Sequence, residues 1–303
     1  MSIVTTGDFA KAVAPQMPLW FGMGYERYPA LYEQVFQTRM SDQAAEEEAL
    51  ISGAGLMLQT SEGEATPYDR MKQGYVKQYE HVDYRLGIII TKNMIRDGRG
   101  LKIAEQRAKQ MGISYGETKN TVAFNVLNRA FNSSYTGGDG LELCSTAHPT
   151  VAGNMANELA TSADLSEASL EQADIEMGDI KDDRGLRIQL RPMKLVVPRA
   201  LKFEAHRILK SAGRVNTPDN DTNAIRDMAL YPGGIITADY LTDTDAWFIL
   251  TNQEMQGLTM FMRQDMELSD DTHFDTDNSK FKGHARFSVG WTDWRHVFGS
   301  PGA

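Results

Sequence analysis

Apolar and small residues recur every three or four positions between residues 101 and 131, which is the clearest helical pattern in the chain. They are Leu101, Ala104, Ala108, Met111, Tyr115, Thr118, Val122, Val126 and Ala130. About thirty residues at 1.5 Å each form a rod of roughly 45 Å. Gly112 and Gly116 each weaken such a helix by roughly 1 kcal/mol relative to alanine. The pattern therefore predicts a long spine helix that is held in place by packing.

A second pattern, strict alternation, covers residues 75–86. Glycines and a proline mark a polar tip over 61–74, so a long hairpin is predicted over 52–90. Both faces of the alternating strand are mostly polar, and a two-stranded ribbon of this kind is barely stable alone. We therefore expect it to lie over an adjacent subunit rather than in a buried sheet. The residues assigned to this intersubunit contact are Arg70, Lys72, Lys77 and Tyr79.

The first fifty residues carry aromatic side chains among prolines and glycines, with little periodicity that would bury them internally. An acidic run at 42–48 resembles a helix. We expect this segment to be an arm that packs on a neighbouring subunit, whereas an ordinary extension on its own domain is the alternative. The arm residues predicted to be buried only in the assembled state are Trp20, Phe21, Tyr25 and Tyr28.

The rest of the chain alternates irregularly between helix and strand patterns, which favours an α+β fold. A helix is predicted over 165–181, capped by Ser166 with Ser169 or by Asp164 with Glu167. The other elements are predicted as strands at 186–190, 194–198, 234–237 and 247–251, a helix at 199–211, and an acidic loop near 270–277.

Residues 281–291 form a last predicted strand in which aromatic and basic residues alternate. A nucleic-acid stacking surface is one interpretation of this mixture. The flanking acidic run from 265 to 277 opposes that interpretation, because like charges repel phosphate. We therefore expect the aromatic side of the strand to lie in a core. The predicted core residues are Phe281, Phe287 and Trp291.

Composition narrows the function classes. The 303 residues are 41% hydrophobic and 24% charged, with a formal net charge of −10, which argues against a basic DNA-reading protein. No run approaches the roughly 20 apolar residues of a membrane-spanning helix. The N-terminus lacks the pattern of a signal peptide. The single cysteine, Cys144, excludes an internal disulfide and fits a reducing cytoplasm.

Motifs for catalysis or cofactor binding are missing from the sequence. The glycine cluster at 137–140 follows a helix and lacks the lysine of a phosphate loop, so a turn is predicted there. Cys144 and His148 have no second pair at zinc-site spacing. Acidic stretches at 219–223 and 275–279 begin like calcium loops but lack the later glycine and glutamate. We predict no catalytic residue, no cofactor and no metal, although weak cation binding near Asp275 and Asp277 stays open.

Four stretches of the chain together resemble the major capsid proteins of tailed bacteriophages, in particular the branch like the major head subunit of phage Mu. They are residues 129–149, 182–198, 241–248 and the C-terminal stretch from 245 to 303. The resemblance implies a Hong Kong 97-type capsid fold. It divides the chain into an N-terminal arm (1–52), an extended loop (53–88), a peripheral domain with the spine helix (89–190), an axial domain (191–258) and return strands of the peripheral domain (259–303).

The resemblance also implies a function. The chain is expected to self-assemble into hexamers and pentamers of an icosahedral shell around double-stranded DNA, in a virion that is built in the bacterial cytoplasm. Portal, separate scaffolding and decoration proteins are the expected partners. An encapsulin-like compartment shell that loads a cargo enzyme is the alternative, and a soluble enzyme of unrecognised type is a third possibility.

Overall fold

The computed structural model describes residues 13–303 except 52, 54, 70–72, 98, 214–221, 274–275 and 277. Its helices, in chain order, are α1 (Met17–Tyr25), α2 (Lys92–Arg96), α3 (Gly100–Asn128), α4 (Glu167–Gly178), α5 (Lys202–Lys210) and α6 (Ala224–Asp227). Its strands are β1 (Gln37–Met40), β2 (Ala45–Ile51), β3 (Gln73–Glu80), β4 (Val82–Ile90), β5 (His148–Thr150), β6 (Gly153–Met155), β7 (Pro192–Pro198), β8 (Ile235–Ala238), β9 (Trp247–Thr251), β10 (Leu258–His273), β11 (Asn278–Trp291) and β12 (Val297–Ser300).

The first of two four-stranded sheets, here the peripheral sheet, has the order β1-β10-β11-β4. β1 runs parallel to β10, while β10, β11 and β4 are antiparallel to their neighbours. One side of β11 is buried, including the predicted core residues Phe281, Phe287 and Trp291. Phe281 belongs to a cluster that contains Ala104 and Ala108 of α3. The spine helix therefore covers this sheet.

The second sheet, here the axial sheet, has the order β12-β9-β7-β8. All five residues of β9 are buried, as its continuous apolar sequence requires in a strand covered on both faces. Helix α5 packs on β7 and β8. Because β12 ends the chain while β11 belongs to the peripheral sheet, the last thirty or so residues join the two sheets.

Several predicted elements lie where the patterns placed them. The spine helix α3 spans Gly100–Asn128, against a predicted 101–131. Helix α4 begins with the Ser166 and Ser169 capping box, in which each hydroxyl accepts a bond from the other residue's backbone N–H. The strands β7, β8 and β9 cover the predicted apolar runs.

Three predictions about local structure are wrong. The acidic run at 42–48 is not a helix; most of it forms β2, where Glu48 lies opposite Lys77 of β3 and the opposite charges favour pairing. Residues 186–190 form no strand, and only a bridge between Lys181 and Arg187 remains. The acidic segment after residue 265 is strand up to His273, with Asp271 opposite Lys280.

The predicted hairpin also differs from the observed one. It was expected over 52–90 outside any buried sheet, but β3 pairs with β2, and β4 is an edge strand of the peripheral sheet. The alternation wrongly indicated an exposed ribbon, because Tyr79 and His81, which carry polar atoms, are buried within the subunit.

Candidate assembly surfaces

The segment from β2 to β3, here called the extended loop, differs in structure between its tip and its base. Residues 55–69, here called the loop tip, contain no helix or strand. Four large apolar side chains of the tip face solvent, namely Leu56, Met57, Leu58 and Tyr68, with exposed fractions of 74%, 101%, 69% and 93%. Soluble monomers rarely expose apolar side chains in such a group, so the tip has the composition of a contact surface.

The strands β2 and β3 form the loop base, which a buried hydrogen-bond network fixes to the body. The hydroxyl of Tyr79 lies 2.5 Å from Oγ1 of Thr292, just after β11. Thr292 Oγ1 donates to Glu48 Oε2 at 2.7 Å, and Arg39 pairs with the same carboxylate at 2.5 Å. Burial raises the pKa of Tyr79, so its hydroxyl keeps the proton it donates. These bonds therefore fix the loop base to the body of the subunit.

The glycine turn at 137–140 packs against β3 of the loop base. A Cβ at Gly138 would lie 2.4 Å from the ring of Tyr75, so only glycine admits that ring. The Tyr75 hydroxyl donates to the carbonyl oxygen of Thr292 at 2.9 Å. Lys77 Nζ donates to the carbonyl oxygen of Thr136 at 2.8 Å, and burial lowers the pKa of Lys77. The predicted turn at 137–140 thus holds β3 in position.

Two buried polar groups lie near this turn. Arg295 is almost fully buried and pairs with Asp183 at 2.8 Å and with Asp293 at 3.1 Å. Burial raises the pKa of Asp293, and the adjacent guanidinium opposes that rise. Such a pair does not add much net stability, but removal of one partner leaves an unpaired buried charge.

His148 forms the second buried group. Its Nδ1 lies 2.6 Å from Asp139 Oδ2, and its Nε2 lies 3.0 Å from Asn157 Oδ1. The amide nitrogen of Asn157 donates to three backbone carbonyls, those of Leu143, Trp294 and Val297. These bonds tie the segment after the spine helix to the C-terminal segment, so His148 has a structural role.

The arm packs on its own subunit. Helix α1 approaches α3 so closely that a Cβ at Gly24 would lie 2.0 Å from the carbonyl oxygen of Lys109, and one at Gly112 would lie 2.2 Å from that of Phe21. Trp20 is only 8% exposed in the single chain. The prediction that Trp20 is buried only on assembly is therefore wrong, because the glycines create a groove for α1 on the spine helix.

A cage of three tyrosine rings around one lysine strengthens the contact between arm and spine helix. The ammonium group of Lys119, a buried residue of α3, lies 4.7 Å, 5.4 Å and 4.5 Å from the ring centroids of Tyr25, Tyr32 and Tyr115. Cation–π contacts contribute roughly 0.5 to 1 kcal/mol at exposed sites and about 2 kcal/mol or more when they are desolvated. Lys119 is not among the predicted contact residues, because a single lysine in a helical pattern normally indicates a solvated face.

The predicted interface residues therefore fall into four groups. Tyr79 is buried inside the subunit, so its assignment to an intersubunit contact is corrected. Trp20, Phe21 and Tyr25 contact α3 or the core of their own chain, and Lys77 contacts the glycine turn. Tyr28 is 49% exposed and stays available to another subunit. Arg70 and Lys72 lie outside the described residues, as do Asp275 and Asp277.

Metal-ligand groups and long apolar helices are both missing from the described part of the chain. Within it, no three His, Cys, Asp or Glu side chains form a group that could hold a metal ion. None of the described helices has both the length and the hydropathy of a membrane-spanning helix. Cys144 is fully buried, and burial raises the pKa of its thiol well above the usual range. A buried thiol of this kind is inert as a nucleophile.

Comparison with known proteins points to one family. The family model described as phage capsid protein matches residues 75–299. No curated protein matches the chain in sequence.

Solved structures share the fold at low sequence identity. A procapsid of bacteriophage JBD30 is similar with a TM-score of 0.53 and 15% identity, covering 96% of this chain and 74% of that chain. The capsid of a native GTA particle gives a TM-score of 0.56 and 11% identity, covering 90% and 89%. A virus-like particle from Pyrococcus furiosus gives 0.51 and 12%, covering 94% and 98%.

Proposed function

The chain belongs to the phage capsid protein family, and from this premise we propose that it is the major capsid protein of a tailed double-stranded DNA bacteriophage. Its fold is the Hong Kong 97-type capsid fold that the sequence resemblance implied. We further propose that it self-assembles into hexamers and pentamers that close an icosahedral shell around the genome. Its role is then structural, and no catalytic step is required.

One observation carries the proposal, namely an exposed apolar tip on a rigid base. The tip side chains Met57 and Tyr68 have no core of their own to bury them. The network at Thr292 holds β3 in one position, so the tip is presented in a defined direction. Preorganisation of this kind reduces the entropy lost on binding. A second copy of the chain, repeated by symmetry, is the partner that a closed shell supplies.

The division into domains is part of the proposal. The boundaries are an arm over 1–52, an extended loop over 53–88, peripheral segments over 89–190 and 259–303, and an axial domain over 191–258. The position of β1 supports a close link between arm and peripheral domain, since it completes the peripheral sheet. Portal, scaffolding and decoration proteins are proposed partners, and assembly is proposed to occur in the host cytoplasm.

A second candidate is an encapsulin-like compartment that loads a cargo enzyme. The similarity to a virus-like particle from Pyrococcus furiosus, which covers 94% of this chain, favours keeping it. The two candidates share the shell and differ in its contents.

Electron microscopy of the purified full-length protein tests both. Closed shells are expected, and nucleic acid inside shells from infected cells supports the phage function. Shells that enclose a protein cargo and no genome would favour the compartment. Persistent monomers at high protein concentration would contradict both candidates.

A further inference from the structure

The chain has a net charge of −10, yet one surface is strongly basic. Residues 92–109, which contain α2 and the start of α3, include six basic and two acidic residues. Four of the basic residues are exposed and define the basic patch: Arg96, Arg99, Lys102 and Arg107. The rest of the protein is correspondingly more acidic, so the patch is a local feature that the overall charge conceals.

The cations of the patch are mostly not used for folding. Lys109 pairs with Glu105 at 2.6 Å, which accounts for one of the two acidic residues in this region. Arg107 donates one hydrogen bond to the carbonyl oxygen of Ile89 at 2.9 Å, and its other N–H groups can still donate to a partner. Within the described residues, Arg96, Arg99 and Lys102 form no side-chain hydrogen bond or ion pair. Their charges are therefore available to an anionic partner.

The geometry suits an extended polyanion. Residues 99–107 rise by roughly 12 Å along the helix axis, and a DNA duplex carries about seven phosphate charges over that length. Three of the four residues are arginines, whose planar guanidinium matches the geometry of a phosphate group. At 3.6 residues per turn, Arg99 and Lys102 lie within about 60° of each other around the helix axis, so at least these two donors can face one stretch of DNA backbone.

An acidic protein segment fits less well. The core of a protein interface is apolar and depleted in charge. Among the described residues of this segment, Leu101 within the patch is a single exposed large apolar side chain at 51%, and the neighbouring Ile89 is 47% exposed. A surface of charges without an apolar centre is typical of binding to a nucleic-acid backbone.

We infer that the basic patch binds the phosphate backbone of double-stranded DNA without reading its sequence. Binding is weak and strongly salt-dependent, because the acidic remainder of the subunit repels the same phosphates. The inference depends on the proposed function only for the source of the DNA, which is the enclosed genome. It makes this end of the spine helix the genome-facing part of the subunit.

Fluorescence anisotropy tests the inference with unassembled full-length subunits and a labelled 24-base-pair duplex at about 25 to 150 mM salt. The variant carries Arg99→Gln and Lys102→Gln. Each lost phosphate contact lowers the slope of log K against log salt by roughly 0.9, so a decrease of about 2 is expected. Affinity at low salt is expected to fall about tenfold or more.

The matched control carries Lys202→Gln and Lys210→Gln. It removes the same charge from the exposed side of α5, where these lysines form no ion pair with a described residue, and its slope should equal that of the unmodified protein. Equal losses in the two variants would show that only total charge matters and would overturn the inference. So would absence of DNA binding at the lowest salt.

A competition with polyglutamate of equal charge separates the two partner classes. Weaker displacement by polyglutamate than by unlabelled duplex supports the DNA assignment. Tighter binding of polyglutamate, lost in the Arg99 and Lys102 variant, would instead identify an acidic protein partner. Electron microscopy of the same protein after assembly keeps the two proposals apart: subunits that form shells but do not bind DNA remove this inference alone, whereas absence of shells removes the proposed function.

Discussion

The base and the tip of the extended loop are joined by a few residues and differ in nearly every physical respect. At the base, Tyr79 is 3% exposed and bonded to Thr292. At the tip, Met57 is fully exposed and lies in a segment with no helix or strand. The base therefore contributes to the stability of the subunit, whereas the proposed role of the tip is in contacts between subunits. Substitutions in the two regions should separate these properties.

The largest effect on subunit stability is expected for substitution of the buried Arg295. The variant Arg295→Met leaves Asp293 and Asp183 without their buried counter-ion and should cost about 3 to 5 kcal/mol of unfolding free energy. Urea denaturation of unassembled subunits measures it. Arg187→Met is the matched control, because its pair with Asp179 is about 70% exposed and contributes less than about 1 kcal/mol. Similar losses in both variants would contradict the role of burial.

The next effect depends on pH and concerns His296, a buried residue between β11 and β12. Burial lowers the pKa of His296 to about 4, from 6.5. The unfolded chain binds this proton below about 6.5 and the folded chain does not, so stability falls as the pH decreases from 6.5 to 4. The expected loss from this group is about 3 kcal/mol. Urea midpoints at both pH values should differ less in His296→Gln than in the unmodified protein; an equal difference would refute the assignment.

A smaller effect is expected for Tyr79→Phe, which removes one hydrogen bond and keeps the ring. Loss of the bond to Thr292 should cost about 1 to 2 kcal/mol. Tyr84→Phe serves as the control, since its ring stacks on Phe287 and its hydroxyl has no partner among the described residues. Thermal unfolding of both variants decides, and equal shifts in Tm would show that the network does not fix the base.

The smallest effect on stability, and the largest on assembly, is expected at the tip. The double variant Met57→Ser with Tyr68→Ser should unfold within about 0.5 kcal/mol of the unmodified protein, because both side chains are exposed. Electron microscopy should show that it no longer closes shells. Val151→Ser, which changes an exposed side chain outside the loop, should leave both properties unchanged. Normal shells from the double variant would remove the tip from the assembly contact.

The long-range pattern of the sequence was enough to predict the spine helix, the apolar strands of the axial sheet and the buried side of β11. Such patterns report burial directly, because one face of each element is apolar. The resemblance to capsid proteins then supplied the fold, which no single motif determines.

The sequence was less informative where polar side chains are buried. Tyr79 and Lys119 each carry a polar group that usually marks the surface, and their burial depends on partners far along the chain, Thr292 and the tyrosines of the arm. The acidic residues of β2 were mistaken for a helix, since their pairing with β3 is not a local property. Only the glycines at 24 and 112 hinted at the close contact between arm and spine helix.

The peripheral sheet combines strands from opposite ends of the chain, since β1 and β4 pair with β10 and β11. Contacts this distant in sequence form late in folding. During synthesis the N-terminal strands must wait until the last segments leave the ribosome, and the loop base has no Thr292 to bind before then. A chain truncated after residue 257 is therefore expected to remain outside shells in cells that make both forms. The sheet topology thus predicts that only subunits synthesised beyond β11 can enter the proposed shell.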